Sequence, residues 1–148
     1  MSNFSETEVE LLQNYFAKDH DFRVANFIPQ FKALYDQGSF TGDAGYFFGL
    51  NAITNYNGIV GSSNVDELDF FSTLTSDDYL LAYGCGAGSY TTCSGLNNGN
   101  SLTSNNLANS DIQATFVSLF GSYFGDWDSP DNNLLKCALA SGNTLTVS

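Results

Sequence analysis

Basic side chains are almost missing from this sequence. Lys18, Arg23, Lys32 and Lys136 are its only Lys and Arg residues, against 16 Asp and Glu, for a formal net charge of −12. So acidic a chain repels phosphate backbones and anionic bilayers, which argues against nucleic acid and membrane surfaces as partners. Histidine is scarcer still. His20 stands alone in a polar stretch about a hundred residues before Ser122, and reads as a solvated surface residue. Long apolar runs are absent, so no membrane-spanning helix is expected. The opening Met1-Ser-Asn-Phe-Ser-Glu-Thr-Glu8 has no basic region leading into an apolar run, so no signal peptide is visible in it. Cysteine is short by one: Cys85, Cys93 and Cys137 cannot form a fully paired intrachain framework. Cys85 and Cys93 are the pair that would bridge if the chain is exported. The plainer reading is three unpaired small residues.

What is present suits a folded domain. Hydrophobic residues make up 43% and aromatics 15%, with 13 Phe and 8 Tyr, so one aromatic-rich core is expected. Few lysines among many Asn, Ser, Thr and Gly resemble the composition of secreted bacterial surface proteins, and a secreted or cell-surface location is expected. Leu145-Thr-Val-Ser148 reads as a strand that stops without a turn, which suggests a piece of a longer polypeptide. Residues 1–31 form an N-terminal helical segment and 32–148 an α/β core, in one domain or part of one.

Along the chain, Ser5-Glu-Thr-Glu8 is a capping box. Val9, Leu12, Tyr15 and Phe16 follow at helical spacing, which predicts a helix over 6–18 and a polar exit after it. Phe31 to Tyr35 suits a short strand closed by Asp36-Gln-Gly38. Phe47, Phe48, Leu50 and Ile53 suggest a short helix entered from Thr41 or Asp43. Gly58-Ile-Val-Gly61 reads as a short strand or turn, and a helix opens at Ser63 with Val65, Leu68, Phe71 and Leu74 on one face. Residues 79–84 and 114–120 are apolar strands. Residues 86–110 read as a long loop, of the kind that is functional or mobile. Pro130 precedes a helix over about 131–140, and a last strand starts at Thr144. Strands alternating with helices predict an α/β fold, an open, mainly parallel sheet with helices on both faces.

Two strands run into small-residue loops: Tyr79-Leu-Leu-Ala-Tyr-Gly84-Cys85-Gly86 and Ala114-Thr-Phe-Val-Ser-Leu-Phe120-Gly121-Ser122. Such loops belong at the carboxyl edge of an open α/β sheet, where these folds keep their chemistry. With Gly125-Asp126-Trp127, the stretch Asn133-Leu-Leu-Lys-Cys-Ala-Leu139 and an early strand ending at Asp36, the pattern over 32–148 resembles the gingipain-type, caspase-like cysteine peptidases. The resemblance implies a caspase-like sheet, truncated here, with a general-base His after the first strand and a nucleophilic Cys after the second. This sequence has Cys85 where the resemblance asks for His, and Ser122 where it asks for Cys. A thiol of unperturbed pKa about 8.5 is no imidazole, and a serine needs a base even more than a cysteine does. The resemblance therefore implies a peptidase architecture without its dyad: a non-catalytic module, with a peptide or protein as its ligand. An active hydrolase using Ser122 or Cys85 is the alternative.

Three further constellations stand out. Asp126, Asp128 and Asp131 cluster in one turn and offer oxygen ligands for calcium, although the spacing is not that of an EF-hand. The plainer role is capping of the next helix by Asp128 or Ser129. If they hold calcium, a calcium-stabilised adhesion or glycan-binding module is a third function. Gly84-Cys-Gly-Ala-Gly-Ser89 lacks the Lys of a phosphate-cradling loop and breaks the dinucleotide pattern at Ser89, so no nucleotide cofactor is expected. Trp127, Tyr46, Tyr90 and Tyr123 have rings suited to stacking on a sugar or a peptide, or simply to packing.

Overall fold

The computed structural model describes residues 1–38, 43–128 and 132–148. Its strands are β1 (Ala33–Asp36), β2 (Val65–Glu67), β3 (Tyr79–Cys85), β4 (Thr92–Asn97), β5 (Asn100–Thr103), β6 (Ala114–Phe120) and β7 (Thr146–Val147). Its α-helices are α1 (Glu8–Arg23), α2 (Asp43–Val60), α3 (Phe70–Leu74), α4 (Ser104–Ala108) and α5 (Leu134–Ala140). β2, β1, β3, β6 and β7 line up in that order in one parallel sheet, and β4 and β5 form a separate antiparallel hairpin. The fold is thus an open α/β sheet covered by helices on both faces, as the alternation of elements predicts.

The two apolar strands are adjacent and parallel at the centre of the sheet, with Tyr79 opposite Ala114 and Cys85 opposite Phe120. Both loops therefore leave the same carboxyl edge. Side chains alternate between the faces. Ala82, Val117 and Leu119 join a large core with Phe70, Leu96, Leu102 and Leu134, supplied by α3, the hairpin and α5. Tyr83 and Cys85 join Tyr35, Tyr56 and Val60 in a smaller cluster beneath α2. Gly84 permits the hairpin's approach: a Cβ there would press on Leu96, Leu119 and Phe70.

Several local expectations need correction. Ser5 does not cap the first helix. The overlapping box at Thr7 does, with the Thr7 hydroxyl accepting from the Glu10 amide and Glu10 accepting from the Thr7 amide at 2.8 Å. The polar exit at 18–23 remains helical. Lys18 is used there against α5, and Arg23 pairs with Asp19 one turn back at 2.8 Å. Gly58 to Val60 lies in α2 rather than in a strand or turn, because Tyr56 and Val60 bury against the sheet and outweigh the propensity cost of one glycine. Thr41 falls outside the described residues.

The helix expected from Ser63 is a 3₁₀ turn, then β2, then α3. Val65 pairs with Ala33, and Asp69 caps the helix by accepting from Ser72 at 2.8 Å. The long loop 86–110 is not irregular. It holds the hairpin and α4, turning on Asn98-Gly99, both at positive φ as a two-residue hairpin turn demands. The last helix starts at Leu134 and is capped by Asn133, which accepts from the Lys136 amide at 2.8 Å; Asp128 does not cap it, and Ser129 and Pro130 lie outside the described residues.

Candidate functional site at the carboxyl edge

The end of β1 is tied to the start of α3 through Asp36. Its carboxylate accepts from the Gly38 and Phe70 amides, each at 2.7 Å. Burial pushes its pKa up against these two hydrogen bonds, and the nearby Asp69 and Glu67 charges add to the rise. Asp36 lies opposite Gly84 in the ladder, one residue before Cys85. The acidic strand end, Cys85 and the Ser122 loop thus meet at one edge.

Cys85 is fully buried and faces the α2 side, among tyrosines. Tyr35 and Tyr83 stack at 5.7 Å between ring centroids, nearly parallel at 9°. The Tyr35 hydroxyl donates to Gln37 Oε1 at 2.9 Å. The Tyr83 hydroxyl is buried with no hydrogen-bond partner, although the Cys85 thiol lies close enough to couple to it. Desolvation pushes the Cys85 thiol up, and the Asp36 charge pushes the same way, against a smaller opposing influence from Tyr83. A catalytic thiolate needs the reverse setting, an electropositive and partly open one.

Ser122 is exposed, and its hydroxyl has no hydrogen-bond partner among the described residues. The loop around it is tightly built. Gly86 donates to the Phe120 carbonyl at 3.0 Å and Ser89 to the Thr92 carbonyl at 2.9 Å, so two amides of the glycine-rich loop are already used and are not free for an oxyanion. The Phe124 ring fills the space beside Gly88 and Gly121, where a Cβ on either glycine would meet it. Tyr123 takes a left-handed φ of 68°, and its exposed ring leans on Tyr90 at 5.1 Å. Tyr46 lies instead on α2, its ring edge-on to Phe47.

His20 is exposed on α1. One turn from its C-terminus, this helix meets the C-terminal end of α5: Lys18 donates to the carbonyls of Leu139, Ser141 and Gly142 at 2.8, 3.1 and 3.2 Å. α5 runs back from the carboxyl edge to the start of β7, so His20 stands by the amino edge. No contact joins it to Cys85 or Ser122.

All three cysteines are unpaired and buried. Cys85 and Cys93, the pair that would bridge on export, are not joined. Cys85 belongs to the cluster under α2 and Cys93 to the core on the other face, so their side chains leave the backbone toward different layers. Asp126 and Asp128 are exposed in the turn, whose backbone is held by Asn133 donating to the Asp126 carbonyl at 3.1 Å. Asp131 lies outside the described residues. Among the described residues no group of three His, Cys, Asp or Glu side chains has a metal-holding arrangement. No helix among them is long and apolar enough to cross a membrane.

The tyrosine cluster was missed by sequence reasoning. Alternation along β3 places Tyr83 beside Cys85, but Tyr35 and Tyr56 arrive from other elements and carry no local signal. No protein-family model matches the chain, and no curated protein or solved structure matches it either.

Proposed function

We propose that this domain is a non-catalytic, degenerate cysteine-peptidase-like module of a secreted or surface bacterial protein, acting through binding rather than turnover. The single observation that carries the reading is the state of Cys85. The residue at the expected base position is a fully buried thiol with a raised pKa, set among tyrosines. Around it, Ser122 has no partner to take its proton, and the one imidazole of the chain stands at the other end of the sheet. Covalent attack needs a nucleophile, a base within hydrogen-bond reach and free oxyanion donors. The exposed rings of Tyr90 and Tyr123 beside Ser122 supply a surface for a peptide or protein ligand.

The test is incubation with a fluorophosphonate probe, a thiol-directed probe and a broad peptide and ester library. No labelling of Ser122 and no turnover are expected. Labelling or turnover lost in Ser122→Ala overturns the reading in favour of a serine hydrolase, and activity lost only in Cys85→Ala points to a thiol enzyme. A rise in melting temperature with millimolar calcium, abolished by Asp126→Asn, would instead favour the calcium-stabilised adhesion reading.

A further inference from the structure

Four basic side chains face 16 carboxylates in this chain, yet one of the four is unmatched. Lys18 is spent on three carbonyls, Arg23 on Asp19 and Lys32 on Asp77. The Lys136 ammonium has no ion-pair or hydrogen-bond partner among the described residues. Lys136 lines a groove of about 430 Å³ between α1 and α5. The other walls are apolar: Leu12 and Tyr15 from α1, Leu139 from α5 and Trp127 from the turn before it. Glu8, the one carboxylate lining the groove among the described residues, is already engaged by the N-terminal ammonium at 3.3 Å. Ligand sites are mostly apolar concavities of about 300–1,000 Å³ with a few placed polar groups, and this groove has that form.

We propose that the groove binds a small apolar carboxylate, a medium-chain fatty acid, with its tail between α1 and α5 and its head group paired to Lys136. Charge selects the head group. A cation in this groove would meet an ammonium with no ion-pair partner among the described residues, and a neutral alcohol would leave that ammonium unpaired. Backbone chemistry selects a free fatty acid over a peptide carboxyl terminus. Both helical walls have their interior amides bonded within the helix, so a bound main chain would lose its water without finding partners, whereas a hydrocarbon tail has none to lose. A second copy of the chain is disfavoured by a net charge of −12 on each.

This site is separate from the carboxyl-edge reading and stands whether or not that edge is inert. Trp127 is the only tryptophan of the chain, so its emission reports on this groove directly. Decanoate, decanol and decylamine are titrated below their micellar concentrations in about 0.15 M salt, which screens the distant charges. A saturable change with decanoate is expected, with decanol about tenfold weaker and decylamine weaker still. Lys136→Met should erase the preference for decanoate over decanol, Lys136→Arg should keep it, and Leu12→Asp should abolish binding of all three. Equal binding of decanoate and decanol, no saturable change, or a preference that survives Lys136→Met overturns the proposal. A peptide with a leucine at its free carboxyl terminus that binds more tightly than decanoate overturns the choice of ligand. If Lys136→Met fails to fold, the wild-type ligand series and Lys136→Arg still decide.

Discussion

The two faces of the central sheet are covered very differently. On one, α3, the β4–β5 hairpin and α5 lay a continuous layer over Ala82, Val117 and Leu119, and Phe70, Leu74, Leu96, Leu102 and Leu134 have almost no exposed surface. On the other, α2 is the main cover. It shields Tyr35, Tyr83 and Cys85, stacks Phe48 on Phe120 at 4.1 Å, and leaves Phe116, Ser118 and Phe120 half-buried. α2 also turns Tyr46, Phe47, Leu50 and Ile59 to solvent. Its apolar residues run around the helix rather than along one stripe, so a single contact cannot bury them all. The comparison separates residues that hold the fold from residues that merely look as though they should.

The largest test of that difference is a pair of truncations. Phe70, 1% exposed, is the kind of side chain whose loss costs about 3–5 kcal/mol. Phe47, 61% exposed on α2, should cost no more than about 0.5 kcal/mol when cut to Ala. Chemical denaturation of Phe70→Ala and Phe47→Ala measures both. Comparable losses would mean that the α2 face carries as much of the core as the hairpin face.

Glycine substitutions sharpen the same contrast at smaller scale. A Cβ on Gly86 would collide with the Ser94 carbonyl oxygen where the hairpin folds against the β3 exit, and that backbone has little room to yield. Gly86→Ala should destabilise by about 1–3 kcal/mol. Gly58, in α2, has nothing within 4 Å of such a Cβ. Gly58→Ala should stabilise by about 0.5–1 kcal/mol, since alanine is the better helix former and the unfolded chain loses freedom. Thermal melts of the two variants should move in opposite directions.

The central sheet was legible because its signal is local. β3 and β6 are mainly apolar runs, β6 broken only by Thr115 and Ser118, with small-residue exits, and their approximate bounds and common edge follow from that pattern. Elements that depend on distant partners were not legible. β2 is three residues long and exists because Val65 finds Ala33. The hairpin hid in a Gly- and Asn-rich stretch whose buried residues, Cys93, Leu96 and Leu102, are too sparse to show a period; the Asn98-Gly99 pair was its one readable mark. At the site, the sequence placed Cys85 and Ser122 together but could not foresee that Cys85 would point into a tyrosine cluster. Two of those three rings come from β1 and α2. Capping failed for a local reason: Ser5 and Thr7 offer overlapping boxes, and the helix takes the Thr7–Glu10 one.

The smallest expected effect is nil at neutral pH and appears in alkali. Burial pushes Cys137 up to about 11 and Cys93 to about 12, both on the hairpin face, and it raises Cys85 beneath α2 as well. The unfolded chain releases these thiol protons from about pH 8.5. Above that value the unfolded state binds fewer protons than the folded one, so stability falls as pH rises toward the folded values. Each thiol adds a slope of at most about 1.4 kcal/mol per pH unit. Tyr56, raised to about 12, and Tyr35, Tyr79 and Tyr83 act in the same direction from about pH 10. Lys18, lowered by burial to about 8, opposes them: it regains stability between that value and about pH 10.4. Between pH 8.5 and 10 tyrosine contributes least, and the Lys18 contribution is common to wild type and Cys137→Ala, so the difference between their melting temperatures isolates that thiol. Cys137→Ala should flatten the decline relative to the wild type even if it lowers stability throughout. Reaction with a thiol reagent gives a second readout, with no labelling expected in the native state at pH 7 and three thiols labelled in denaturant. Under partial opening, Cys85 should react before Cys93 and Cys137, since the main cover on its face is one helix. Cys93 reacting first would reverse the comparison and make the hairpin face the weaker of the two.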